Sequence, residues 1–236
     1  MATIVHALSR GVDQRDIFLD DQDRFRFTHD LFEFNDKDWV NNNSHIFRRG
    51  RIADLPPQSS NDIASRYIER KPRKLLVDIL VFCLMNNHYH LLLSPKIDGG
   101  IPTFMKKLNM GYAKYFNTKY KRVGTLFQSR YKSVPITNDP HLLHIPYYIH
   151  FNPLDFAASG WRKREISNSK EALRFLENYR WSSHLDYLGK DNFPSVTNRK
   201  FLADLLGEPK EYQKSLSRWL RDIDTEAISS NALEPI

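Results

Sequence analysis

Two histidines lie one residue apart, as His88-Tyr89-His90, inside an apolar run that ends at Leu93. Side chains alternate between the two faces of a β-strand, so in a strand both imidazoles would point the same way and Tyr89 would point the other way. Two neighbouring imidazoles supply half of a metal site. Two structural histidines would give the same pattern, so the pair alone leaves both interpretations open.

Further candidate residues lie in a segment that begins with Asn138-Asp139-Pro140. An Asx N-cap followed by proline in the first turn is typical of a helix start, and a proline at 153 should end the helix near Asn152. His144, Tyr148 and Asn152 are four residues apart, so they share one helical face. This shared face favours a functional interpretation of the histidine pair, and packing of Tyr148 as a core aromatic is the alternative.

Four neighbours on this helix need separate interpretation. His144 could assist proton transfer or contact DNA, or it could be an ordinary surface or core histidine. His150 lies about 200° around the helix from Tyr148, so we expect it to be structural, and we expect Tyr147 to be a core aromatic. Pro146 removes a backbone donor, so it should kink the helix, unless the helix begins only near Ile145.

The elements that must position these residues follow the order β, α, β, β, α, β, α. The first six match the split βαβ, or ferredoxin-like, arrangement, in which a four-stranded antiparallel sheet carries helices on one face. Asn86-Asn87 tolerates positive φ, which predicts a two-residue hairpin turn between the two central strands. The predicted strands are 4–8, 75–85, 88–94 and 124–136; the predicted helices are 22–34, capped by Asp20-Asp21, 101–116 and 139–152.

The predicted domain organisation is a catalytic domain over 1–160 and a helical C-terminal extension over 161–236. Order weakens between Asn35 and Lys74, which predicts a loop-rich insertion with a short helix at Ile63–Glu69. The tail from Glu171 onward is amphipathic in places but carries no chemistry that its pattern reveals.

Composition narrows the class of protein. The chain has 236 residues, a formal net charge of +7 and a pI near 9.4, which favours a polyanionic partner. The apolar runs are too short to span a bilayer, and the N-terminus lacks the pattern of a signal peptide. Cys83 is the single cysteine, so we expect a buried thiol and a reducing cytoplasm.

Several motifs together resemble the single-tyrosine HUH transposases, and within them the REP-associated tyrosine transposases. The resemblance covers about residues 4 to 189, in order and with matching spacing except across the insertion. The motifs are Ser9-Arg10-Gly11, Leu84-Met85-Asn86-Asn87-His88-Tyr89-His90-Leu91-Leu92-Leu93, Gly124-Thr125-Leu126-Phe127-Gln128-Ser129-Arg130-Tyr131-Lys132, Tyr148-Ile149-His150-Phe151-Asn152-Pro153 and Tyr179-Arg180-Trp181-Ser182-Ser183.

This resemblance implies a ferredoxin-like fold and a defined reaction. His88, His90 and Asn152 would hold a magnesium or manganese ion, and Tyr148 would attack a phosphate of single-stranded DNA beside a hairpin. The product would be a 5′-phosphotyrosine and a free 3′-hydroxyl, which allows strand rejoining. The enzyme would work in the bacterial cytoplasm, at the nucleoid, as a monomer or as a homodimer whose tyrosine acts in trans.

Two other functions stay open. A domesticated relative could bind DNA hairpins with little or no cleavage, and a metallohydrolase could act on a small phosphoester. Basic and polar residues with interleaved aromatics fit a single-strand groove, although a solvated charged face would look similar. The candidate DNA contacts are Arg10, Lys106, Lys107, Lys114, Lys119, Lys121, Arg122, Gln128, Arg130 and Lys132, the aromatics Tyr120, Phe127 and Tyr131, and, in the insertion, Arg48, Arg49 and Arg51.

Overall fold

A computed structural model describes residues 3–38, 73–163 and 165–222. They form a four-stranded antiparallel sheet in the order β2-β3-β1-β4. The order of elements along the chain and this strand order confirm the ferredoxin-like prediction. The strands are β1 (Val5–Arg10), β2 (Val77–Leu84), β3 (His88–Pro95) and β4 (Lys132–Pro135).

The first face of the sheet is covered by α1 (Asp21–Glu33) and α2 (Gly100–Lys119). The predicted cap of α1 is confirmed, because the Asp20 carboxylate accepts a hydrogen bond from the Asp23 backbone N–H at 2.9 Å. The two helices pack on alternate residues of the strands, among them Tyr89 and Leu91, and together they bury a contiguous apolar cluster.

The hairpin between β2 and β3 is confirmed, but its predicted turn is wrong. Positive φ among the described non-glycine residues occurs only at positions 13, 14 and 121, so neither Asn86 nor Asn87 adopts it. Tertiary contacts hold the turn instead. The Asn86 carbonyl accepts from the backbone N–H groups of Ile17 and Phe18, and the Asn87 carbonyl accepts from Gly11.

The predicted strand 124–136 is mostly wrong, since only Lys132–Pro135 pairs with β1. Gly124 has a φ of 93°, and its carbonyl accepts from the Asn117 side chain, which turns the chain at the end of α2. Phe127 then makes an isolated bridge with Gly11, and the Gln128 N–H donates to the Arg10 carbonyl. This segment therefore follows the end of β1 without forming a regular strand.

The helix α3 (Asp139–Phe151) begins where predicted, because the Asn138 side chain accepts from the His141 N–H at 2.8 Å. It runs continuously across Pro146, so the alternative start near Ile145 is wrong. The α-helix ends at Phe151, with Asn152 as its C-cap, which confirms the predicted end before Pro153. A 3₁₀ turn, Asn152–Phe156, follows it directly.

The second face of the sheet is covered by α3 together with C-terminal helices. Trp161, Tyr212 and Leu216 are buried in the same cluster as Val81 and Ile145, so the C-terminal segment shares a core with the sheet. No helix of the described residues is long and apolar enough to cross a membrane. The C-terminal helices are α4 (Ser169–Asn178), α5 (His184–Tyr187), α6 (Ala203–Leu206) and α7 (Pro209–Asp222).

Some predictions lie outside the described residues. These are the short helix at Ile63–Glu69 and the arginines Arg48, Arg49 and Arg51.

Candidate active site

A pocket of about 80 Å³ opens between the ends of β1 and β3, the segment before β4, and α3. His88 and His90 of β3 lie in the wall of this pocket together with Tyr148 and Asn152 of α3, all within one chain. The lining residues are Leu8, Ser9, Arg10, His88, His90, Gln128, Ser129, Arg130, Lys132, Tyr148, Asn152, Asp155 and Arg162.

The hydrogen bonds of His88 and His90 orient both imidazoles. The Nδ1 of His88 lies 2.6 Å from the Asn87 side-chain oxygen, which can only accept, so Nδ1 carries the proton. The Nδ1 of His90 lies 2.9 Å from Nε2 of His6. A donor on Nδ1 of His90 leaves its Nε2 as a lone pair, and that atom is buried without a hydrogen-bond partner.

Both imidazoles are neutral in this environment. Burial, with a smaller contribution from the nearby Arg10 guanidinium, lowers the pKa of His88 to about 3. Burial also holds the pKa of His90 well below its usual range, with His88 next to it contributing. Neutral imidazoles are the form that binds metal ions.

Tyr148 lies beside this histidine pair. Its side chain is 3% exposed, and its ring centroid is 6.2 Å from that of His90 and 6.2 Å from that of His6, edge-on in both cases. The phenol oxygen accepts a hydrogen bond from Nη1 of Arg162 at 2.9 Å. The tyrosine of one chain thus reaches the histidines of the same chain.

Asn152 is fully buried, and its amide is oriented by two contacts. Its Nδ2 donates to the Tyr148 carbonyl at 2.8 Å, and its Oδ1 accepts from Nη2 of Arg162 at 2.8 Å. A carbonyl oxygen has two lone pairs, so Oδ1 keeps one acceptor position beyond its bond with the guanidinium.

The donor set fits a divalent ion. Within the described residues no three His, Cys, Asp or Glu side chains group closely enough to hold a metal by themselves. A site here would therefore consist of two imidazoles and the Asn152 amide, which leaves positions for phosphate oxygens. The observation that favours this fit is the position of His90, which lines the pocket and whose Nε2 makes no hydrogen bond within the protein.

Comparison with known families indicates the class of protein. Residues 48–152 match the family model described as transposase IS200-like. Over these residues the chain is similar to the IS200-like transposases. This similarity supports a function in the transposition and recombination of DNA, with DNA as the partner. No curated protein matches the chain.

The matched range of this transposase domain begins after β1 and ends at Asn152. It contains both histidines of β3, Tyr148 and Asn152. It leaves out His6, Asp155 and Arg162, although all three contact the residues of the pocket.

Sequence reasoning missed these three residues. His6 pairs with Leu92 in the β1–β3 register, so it lies two positions from His90 on the same face. Alternation along β1 is the signal that could have found it. Asp155 and Arg162 follow the tyrosine helix in irregular 3₁₀ turns, where no periodic pattern indicates which way a side chain points.

Of the candidate DNA contacts, Arg10, Gln128, Arg130 and Lys132 line the pocket. Three others bond within the protein: Lys107 donates to the carbonyls of Asp36 and Asp38, Lys119 pairs with Asp20 and Asp23, and Arg122 donates to Asn117. The exposed Lys106, Lys114 and Lys121 are not among the pocket residues.

The remaining residues of α3 are packed away from the pocket. His144 lies against Trp219 of α7, with ring centroids 4.3 Å apart, so its structural interpretation is the correct one. Tyr147 stacks between Tyr212 and Trp219, and His150 is fully buried, as predicted for both.

Proposed function

We propose that this transposase cuts and rejoins single-stranded DNA beside a hairpin through a covalent bond to Tyr148. The observation that carries the proposal is the position of Tyr148 and Asn152 against His88 and His90 in one pocket of one chain. A phenol beside a metal-ligand set with basic residues at the rim fits nucleophilic attack on a phosphodiester.

In the proposed reaction the Tyr148 phenol oxygen attacks phosphorus and forms a new P–O bond. The bond from phosphorus to the 3′-oxygen breaks, and that oxygen keeps the electron pair and takes a proton from water. The phenol proton is released to solvent at the mouth of the pocket. When bound, a magnesium or manganese ion at His88, His90 and Asn152 would polarise a phosphate oxygen of the scissile group.

Rejoining is the reverse of this step. A 3′-hydroxyl attacks the phosphotyrosine, and the phenol oxygen leaves with its electron pair. The phosphoester is exchanged rather than hydrolysed, so the reaction needs no nucleotide cofactor. Water must be kept from the phosphotyrosine, and the nearly complete burial of Tyr148 supports this requirement.

The rim of the pocket supports a single strand as substrate. Arg10, Arg130 and Lys132 surround a small opening that admits a phosphate group rather than a base pair. Their side chains would neutralise the phosphates on both sides of the scissile bond. The hairpin itself would be recognised outside the pocket.

A denaturing gel with a hairpin-bearing oligonucleotide and manganese tests the proposal. We expect a protein–DNA adduct that carries a 3′-end label, while a 5′-end label leaves on a free fragment. Tyr148→Phe should abolish the adduct. Tyr147→Phe is the matched control, since its neighbouring ring is buried against α7 and should not affect the reaction.

Two outcomes would contradict the proposal. Adduct formation by Tyr148→Phe would show that Tyr148 is not the nucleophile. Tight hairpin binding without scission under any divalent metal would favour the binding-only alternative. A metallohydrolase would need a second metal cluster or a general base, and the described residues contain no further group of metal-ligating side chains.

A further inference from the structure

Arg162 joins the two candidate residues of α3. Its guanidinium donates from Nη1 to the Tyr148 phenol oxygen at 2.9 Å and from Nη2 to Oδ1 of Asn152 at 2.8 Å. Asp155 binds the opposite side of the same group, with Nε donating at 3.1 Å and Nη2 at 2.8 Å. One planar cation thus reaches the attacking atom and a metal-ligand candidate together.

The guanidinium is held in this position independently of Tyr148. The fully buried Trp161 donates its indole N–H to the Asp155 carboxylate at 2.7 Å, and its ring lies 4.4 Å from the guanidinium carbon. Fork-like pairing of an arginine with a carboxylate is geometrically restrictive. Asp155 follows α3 directly in the 3₁₀ turn Asn152–Phe156, so the clamp is attached to the helix that bears the tyrosine.

We propose that Arg162 is a catalytic residue of this transposase, donating a hydrogen bond to the phenol oxygen of Tyr148 as that oxygen gains or regains negative charge. The inference rests on the proposed function. In cleavage the Arg162 donor stabilises the phenol oxygen while the phenol proton goes to water and the P–O bond forms. In rejoining it stabilises the same oxygen as the phosphotyrosine bond breaks and the electron pair returns to it.

The structure favours this role over a purely structural one. A charged donor that is already held in place and aimed at the atom where charge develops needs no reorganisation during the reaction. A structural arginine would be sufficiently bound by Asp155 and Trp161 alone. The contact with the phenol oxygen adds nothing to that anchorage, but it orients the nucleophile.

Single-turnover cleavage by Arg162→Ala is the first test. Removal of one such donor typically costs about 100-fold to 1,000-fold in rate, and we expect losses of that order in both adduct formation and rejoining. Lys163→Ala is the matched control, because it removes an exposed cation one residue away. Hairpin binding should stay unchanged in both variants, Lys163→Ala should melt like the wild type, and Arg162→Ala is assayed well below its own melting temperature.

Two further measurements separate catalysis from structure. Added guanidinium ion, at concentrations below those that unfold the protein, should partly restore cleavage by Arg162→Ala. Arg162→Lys should stay impaired, because an ammonium group cannot reproduce the fork that reaches Tyr148, Asn152 and Asp155 together. Failure of rescue together with wild-type activity of Arg162→Lys would overturn the proposal.

A substrate with sulfur in place of the scissile 3′-oxygen identifies which end of the reaction Arg162 assists. A thiolate leaves readily without help, so a defect of Arg162→Ala that persists on this substrate supports action on Tyr148. A defect that disappears would assign Arg162 to the leaving group and overturn the proposal. If the wild-type chain forms no adduct, the proposed function itself is refuted. If the wild-type chain forms the adduct and Arg162→Ala forms it equally fast, only the role of Arg162 is refuted.

Discussion

The two faces of the sheet are made from alternate residues of the same strands, but their interiors differ in kind. The first face, under α1 and α2, buries apolar and aromatic side chains such as Tyr89 and Leu91. The second face, under α3 and the C-terminal helices, also buries histidines, among them His6, His90 and His150. Among the described residues, the candidate nucleophile and the candidate metal ligands all lie at this second face.

The buried histidines of the second face differ from one another in their hydrogen bonds. Both ring nitrogens of His150 are occupied, by the hydroxyl groups of Tyr212 and Ser183 at 2.8 Å each. In His90 one nitrogen contacts His6 and the other, Nε2, is buried without a hydrogen bond. A satisfied histidine stabilises the fold, whereas one with a spare lone pair at a pocket is equipped to bind a ligand.

The largest expected effect comes from removing a ligand on the second face. His88→Ala should lower strand cleavage on the order of 1,000-fold, because the lost metal would have supplied several kcal/mol of charge stabilisation. Unfolding by urea should change by less than about 1 kcal/mol, since the His88 side chain lines the pocket and its removal leaves no cavity in the apolar core. His29→Ala, a histidine of α1, is the control and should cleave normally.

The next largest effect should be a loss of stability that arises on the first face alone. Leu91→Ala should lower the free energy of unfolding by about 2–5 kcal/mol, because it leaves a cavity under α1 and α2. Leu19→Ala, at a residue that is 54% exposed, should have little effect. Loss of cleavage by Leu91→Ala under conditions where it is fully folded would contradict the separation of the two faces.

A smaller effect tests whether the second face is stabilised independently. Tyr212→Phe removes the hydroxyl that bridges His150 and His184, and it should cost about 1–3 kcal/mol because buried nitrogens lose their partner. Hydrogen exchange should accelerate in α3 and α5 but not in α1 and α2. Equal acceleration on both faces would show that they open as one unit.

The smallest effect should come from His6. His6→Phe keeps a ring at this buried position but removes the contact with Nδ1 of His90. Residues that orient a metal ligand typically change metal affinity by about 10-fold to 100-fold, so manganese binding measured by calorimetry should weaken within that range. Unchanged affinity would mean that His6 only fills space.

Much of the fold could be predicted because local backbone geometry produces it. Alternation placed Tyr89 opposite the histidines, and helical spacing placed Tyr148 and Asn152 on one face. The turn at Asn86-Asn87 and the segment 124–131 could not be predicted, since their conformations depend on hydrogen bonds to Gly11, Ile17 and other residues far away in the sequence.

The sequence by itself determined the element order, the alternation of side chains along the strands, and the resemblance that singles out His88, His90, Tyr148 and Asn152, because periodicity and motif spacing are local properties of the chain. Only the tertiary structure decided which partners those residues have. His6 reaches His90 across 84 positions, and Arg162 reaches Tyr148 from an irregular turn. Such contacts follow from the packing of α3 and β1 against one sheet, which no local pattern encodes.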